Sequence, residues 1–257
     1  MVKSMHKRGQ VSVFAIIGIV IVILVALFFF LRNEYGLFVQ PTSFLRDKSQ
    51  PIEDNLRSCV KDKLNSTLVN FGKQGGELTP SSSRLYESIS VPYYCTNIVG
   101  KNQCLNVMPT LPGIINALNN KLQNEINNCV DKSLVTSGLG YKIVAGNVTT
   151  KVETGSSGII LRAHYDVSIS KGESKQSVSD VVVNYDAPIS DLYSVAVDAV
   201  NSEANAGFFE QLLYMVNKRG QYIINLDKPY PDKIYKIREK NSNFEFWFAI
   251  QGTETVN

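Results

Sequence analysis

The chain has 257 residues, with 26 Lys and Arg against 23 Asp and Glu, two His and four Cys. That length supports one or two domains with a sizeable core, while the near-balance of charge excludes the basic stripe of a nucleic-acid binder. With no Cys-x-x-Cys and one histidine beyond the first ten residues, a zinc site is excluded as well, and no cofactor or metal is expected.

In chain order, the first feature is the apolar run Val11–Leu31, which carries no charge. As an α-helix it spans ~31 Å, about the thickness of a bilayer's hydrocarbon core. Lys3, Lys7 and Arg8 precede it and a single Arg32 follows. That bias predicts a transmembrane helix over 11–32, a cytoplasmic basic segment over 1–10 and an extracytoplasmic region over 33–257. The lipid bilayer is thus the first expected partner. A secretory signal peptide fits less well, because the run is long and no small-residue cleavage site follows it.

Lys7-Arg8-Gly9-Gln10-Val11-Ser12, placed directly before the apolar run, resembles the class III signal peptide of archaeal type IV pilin-like proteins. The resemblance covers residues 7–31. It implies cleavage between Gly9 and Gln10 by a prepilin-type peptidase and an archaeal cell-surface location. The chain departs from the family in carrying Phe14 where many pilins have a glutamate. Gly36 and Pro41 also interrupt the long spine that pilins usually have. The alternative is that Lys-Arg-Gly is a plain basic flank.

With Lys3, Lys7, Arg8 and Arg32 set apart, the basic residues fall one short of the acidic ones, so the exterior region is near neutral. Residues 33–50 read as a stalk or linker. A helix follows over about 52–71, with Leu56, Cys59, Val60, Leu64, Leu68 and Phe71 on one stripe. Gly72-Lys73-Gln74-Gly75-Gly76 lacks phosphate-loop spacing and reads as its stop. Arg84–Cys95 reads as extended, and Gly100-Lys101-Asn102 as a loop. A second helix over about 112–132 carries Ile115, Leu118, Leu122, Ile126, Cys129 and Val130 on its stripe.

Four cysteines on the oxidising side suggest two disulfides among three connectivities. If the two helices pack antiparallel, Cys59 meets Cys129, and Cys95 with Cys104 flanks one loop. These are the pairs expected. Asn65-Ser66-Thr67 and Asn147-Val148-Thr149 have the form of glycosylation acceptors.

From residue 140 the pattern alternates. Strands are predicted over 141–152, 158–170 and 175–185, then one long helix over 189–218, then strands over 221–226, 233–238 and 244–250. Leu212, Leu213 and Val216 fall on the apolar side of that helix. The expectation is an α+β fold: two disulfide-linked antiparallel helices over 51–135, and over 140–257 an antiparallel β-β-β-α-β-β-β sheet covered by the long helix.

Candidate chemistry is sparse. His164, Asp166 and Ser168 share one strand face with Arg162, but strand neighbours do not by themselves make a triad. Asp191, Asp198 and Glu203 lie along the long helix without a sequence reason to converge. Phe244, Phe246 and Phe248 read as core, which leaves Trp247 facing outward as a candidate partner contact. No catalytic motif is present, so no enzyme is expected. The sequence favours a single-pass, membrane-anchored extracytoplasmic surface protein with a structural or partner-binding role, either self-associating or bound to other envelope proteins. The alternatives are a pilin-like filament subunit processed after Gly9 and a membrane-tethered hydrolase.

Overall fold

The computed structural model describes residues 16–27, 41–98, 103–135, 142–155, 158–171, 174–178 and 180–253. Gly9 and Gln10 lie outside these residues, as do the expected loop at 100–102 and the turns at 156–157 and 172–173. The chain divides into two compact units between Asp47 and Lys48.

In the first unit, residues 16–27 are helical (α1), and their large apolar side chains are exposed. Among the described residues no helix is long and apolar enough to cross a membrane. The described part of α1 spans only ~18 Å, short of a ~30 Å hydrocarbon core. The transmembrane helix expected over 11–32 is therefore not part of the described fold. Helix α2, Pro41–Lys73, begins inside the expected stalk and continues through Pro51. An interior proline removes one backbone hydrogen bond and crowds the carbonyl four residues earlier, so Pro51 is a local cost within this helix.

The second unit contains the remaining elements. Leu56, Val60, Leu64, Leu68 and Phe71 of α2 are buried, as the stripe predicts. So are Leu118, Leu122, Ile126 and Cys129 of α3, Leu111–Val135. Cys59 and Cys129 join these helices, with Cα atoms 5.8 Å apart. Cys95 pairs with Cys104. A long-range cross-link of this kind typically contributes ~2–4 kcal/mol.

The first helix stop falls later than Gly72. Gly75 and Gly76 take positive φ, and the Gly76 amide returns to the Phe71 carbonyl at 2.8 Å. Gly72 serves a different need: a Cβ there would stand 2.7 Å from the Phe244 ring. The missing side chain lets α2 approach the strand that Phe244 opens.

The strands form two sheets rather than one, which corrects the expected β-β-β-α-β-β-β sheet. The six-stranded sheet contains β1 (Ser83–Tyr86), β2 (Ile89–Asn97), β3 (Cys104–Asn106), β8 (Tyr222–Asp227), β9 (Lys233–Glu239) and β10 (Glu245–Ile250). Its order is β1-β2-β10-β9-β8, with β3 also on β2. The four-stranded sheet sets β4 (Lys142–Gly155), β6 (Ser174–Ser177) and β7 (Val181–Tyr185) around β5 (Gly158–Lys171).

The joint that overturns the single sheet is β10 against β2. It is a parallel pair between distant parts of the chain, extended by the Gln251 amide donating to the Cys95 carbonyl at 2.9 Å. Parallel partners lack the short hairpin that makes antiparallel pairs readable in sequence. The extended segment 84–95 is also a hairpin. Its turn residues Glu87 and Ser88 both have positive φ, which suits a tight two-residue connection without the usual Asn-Gly.

One buried cluster links α2, α3, both sheets and α4, Ile189–Ala206. At its centre Phe248 stacks between Tyr94 and Tyr235, at 5.3 and 5.2 Å between ring centroids. A smaller cluster, Val91, Ile234, Trp247 and Ala249, lies on the other side of β10 with Tyr86 and Ile89 packed on it. Lys236 closes this second layer. Its ammonium sits 4.7 Å from the ring centres of both Tyr86 and Trp247 and 2.8 Å from Asp227 and Glu87.

Burial acts to lower the Lys236 pKa, but hydrogen bonds to Asp227, Glu87 and Tyr86 outweigh it and hold the pKa above the usual lysine value. The bonds from Lys236 and Tyr86 hold the Asp227 carboxyl below its ordinary value. A carboxylate depressed in the folded state contributes stability above its unfolded pKa and loses it as pH falls through the folded value. Asp227→Asn is therefore expected to cost ~0.5–1 kcal/mol at neutral pH, since the pair is part-exposed. The gap from the parent should shrink below pH ~4. Urea titrations read by Trp247 emission check this, and a gap constant from neutral to strongly acid pH would contradict it.

Candidate interaction surface

The surface is built from the end of α4. Ile189, Leu192, Val195, Ala196, Ala199 and Val200 give that helix an apolar inner face, and Glu203 lies on the same side in its last turn, 3% exposed. A buried carboxylate must be paired. Glu203 accepts a hydrogen bond from the Tyr235 hydroxyl and pairs with Lys233 Nζ at 2.6 Å. Burial and the bond to Glu203 both push the Tyr235 phenol above its ordinary pKa. Lys233 Nζ also donates to the Gly207 carbonyl at 2.8 Å.

Gly207 ends α4 in the left-handed region, φ 77°, with its amide on the Glu203 carbonyl. There the long helix expected over 189–218 breaks into α4 and a separate α5, Gln211–Asn217. After the break Phe209 turns inward, 5.2 Å from the Tyr214 ring and 6.1 Å from Tyr235. The Tyr214 hydroxyl donates to Asp198 at 2.8 Å and holds α5 to α4. Burial, then the Asp198 bond, raise the Tyr214 pKa well above its usual value. On the strand side, the Ile224 amide of β8 points at Met215 Sδ, 3.3 Å away. A positive-φ Arg219-Gly220 turn then leads into β8.

The outer face of α5 is apolar. Leu212 is 69%, Leu213 59% and Val216 72% exposed, and Phe208 just before the helix is 55% exposed. Leu212, Leu213 and Val216 share a face by helical spacing. Phe208 and Leu213 wall one shallow groove with Asp198, Asn201 and Asn205 of α4. Scattered exposed apolar side chains are ordinary, whereas a grouped set marks an interaction site. The sequence reading placed these residues in the core because it carried the period of α4 across Gly207. The signal that could have found the break is Asn205-Ala206-Gly207, a helix stop of the usual kind.

Other sequence-singled residues fall elsewhere. Trp247 is 2% exposed, which corrects its expected outward role: the β1–β2 hairpin and Lys236 cover it. His164 Nδ1 lies 2.5 Å from Asp180 Oδ1 on an open sheet face, with side chains 64% and 59% exposed. Its expected neighbour Asp166 is not that partner. Arg162 pairs with Glu153. No known protein family, curated protein or solved structure matches the chain. Asn65 accepts a bond from the Tyr185 hydroxyl at 2.6 Å, and Thr67 of its triplet is buried. Asn147 stands exposed at the irregularity in β4 between Ala145 and Val148.

Single side chains from the helices also reach sheet edges. Gln123 of α3 pairs with the Val148 carbonyl and the Thr150 amide of β4, much as another strand would. Arg57 of α2 donates to the Val182 carbonyl of β7 at 3.1 Å. With Met215 over β8, these contacts occupy outward backbone groups that otherwise invite strand addition. Among the described residues, α5 with Phe208 just before it groups four exposed large apolar side chains within nine positions.

Removing one partner of a buried ion pair costs ~3–5 kcal/mol. Lys233→Met should cost ~2–4 kcal/mol, because Lys233 keeps some exposure. Glu203→Gln, which still accepts from Tyr235, should cost less. Urea denaturation of both variants checks the order, and equal or negligible losses would contradict it.

Proposed function

We propose that this protein is an extracytoplasmic module held at a cell envelope, with a structural or partner-binding role and no catalysis of its own. The observation that carries the reading is the exposed apolar face of α5, fixed in place by Tyr214, Met215 and the Glu203 pair. Two disulfides within one unit suit an oxidising compartment. The apolar N-terminal segment, preceded by Lys3, Lys7 and Arg8, supports attachment at a membrane with residues 33–257 extracytoplasmic. The isolated His164–Asp180 pair on an open sheet face gives the hydrolase reading no support.

The Lys7-Arg8-Gly9-Gln10 resemblance favours a second reading, a pilin-like subunit processed after Gly9. The test is an intact mass of the native protein without reducing agent, combined with protease treatment of whole cells. The proposal expects oxidised cysteines and cleavage by external protease. Free thiols and protection from protease would overturn it. A chain beginning at Gln10 would move the pilin-like reading ahead.

A further inference from the structure

The α5 face carries a more specific assignment, which rests on the envelope-surface reading above. We infer that α5 is a shallow docking element for an anionic lipid bilayer. Three observations converge. The outer face presents Phe208, Leu212, Leu213 and Val216, each more than half exposed. Lys218 and Arg219 follow at once and are exposed, with Lys218 Nζ 5.3 Å from the Tyr214 ring centre, and the backbone of exposed Lys240 lies close by, its amide donating to the Gln221 carbonyl at 2.8 Å. Three cations thus stand at the C-terminal end of the helix against one part-buried carboxylate, Glu239, while Glu210 lies at its start and Asp198 is bonded to Tyr214 at its middle. An apolar helix face beside a basic cluster matches acyl chains beside anionic headgroups.

Size separates this occupant from a second copy of the chain. A seven-residue helix presents a face about 10 Å on a side. A stable protein dimer buries about 800 Å² per partner, far more than such a face offers. Binding to a bilayer scales with buried apolar area plus attraction to anionic lipid, so it has no fixed area to reach and the cations add to what the small face supplies. The contacts beneath α5 also hold it closed: Tyr214 is bonded to Asp198, and Phe209 is turned into the core. The apolar face therefore needs no rearrangement to meet lipid.

The native chain has one tryptophan, Trp247, and it is buried. Leu212→Trp therefore adds an indole that reports on α5, and Val216→Trp gives a second reporter at another exposed position. Full-length protein carrying either change is mixed with phosphatidylcholine vesicles containing brominated acyl chains, with or without about one-third phosphatidylglycerol. Quenching needs proximity to bromine, so attachment of the chain elsewhere leaves the introduced indole silent.

The expected result is loss of most of the introduced emission with phosphatidylglycerol present and little without it. Adding Lys218→Gln and Arg219→Gln should raise the lipid needed for half-quenching about fivefold per charge removed. No quenching by either reporter in either vesicle overturns the assignment. A concentration-dependent blue shift without lipid also overturns it, because the face then joins protein to protein. That outcome leaves the envelope-module reading standing. Failure of that wider reading shows separately, as free thiols and protease protection in whole cells.

Discussion

The buried Glu203 carboxylate governs how the second half of the chain is arranged. It sits at the last turn of α4, where an unpaired charge is too costly to keep. Its partners, Tyr235 and Lys233, both come from β9, so the helix end is fixed against the six-stranded sheet. Lys233 spends a second hydrogen bond on Gly207, and this fixes where the chain leaves the helix. The left-handed turn at Gly207 then sends Phe209 inward and Phe208 outward. The Glu203 contact fixes where α5 begins, and the Tyr214–Asp198 bond, Met215 and the inward Phe209 hold it there, so its outer face stays exposed.

The same economy appears around the sheets. Trp247 and Lys236 form a second, thin layer that the β1–β2 hairpin closes, so the outer side of β10 is not left open. Gln123, Arg57 and Met215 each satisfy backbone groups at a strand edge. Growth by strand addition is thereby discouraged at these places. Among the described residues, α5 adds a grouped aliphatic face that ends in exposed cations. Such a surface suits a protein fixed at an envelope, where the local bilayer or neighbouring molecules supply a high effective concentration and weak contacts suffice.

Much of this architecture was legible in the residues. The stripes of α2 and α3 predicted both helices and, through their antiparallel packing, the Cys59–Cys129 pair. Alternation placed β4, β5, β8, β9 and β10 within a few residues, but the segment read as one strand over 175–185 is two, β6 and β7, and β3 was not read; Phe244, Phe246 and Phe248 are buried as their spacing implies. The pairing of β10 with β2 was not legible, because a parallel partner distant in sequence leaves no local mark. Trp247 illustrates the same gap: alternation gave its face correctly, but whether a second layer covers that face depends on the hairpin. The α5 surface was missed because Leu212, Leu213 and Val216 continue a plausible helical period, and only the turn at Gly207 breaks it. The Val11–Leu31 run was read as a membrane-crossing helix from its length and hydropathy. The described helical residues 16–27 are too short for that role.

The central claim is that α5 shows an apolar face to solvent while Trp247 does not. Hydroxyl-radical footprinting of the full-length protein, read residue by residue by mass spectrometry, tests it most directly. The account predicts strong labelling of Phe208, Leu212 and Leu213, with Phe209, Trp247 and Phe248 protected. Protection of Phe208 and Leu212 at the level of Phe248, together with labelling of Trp247, would contradict it: α5 would then belong to the core, and the recognition surface would lie on the outer side of β10.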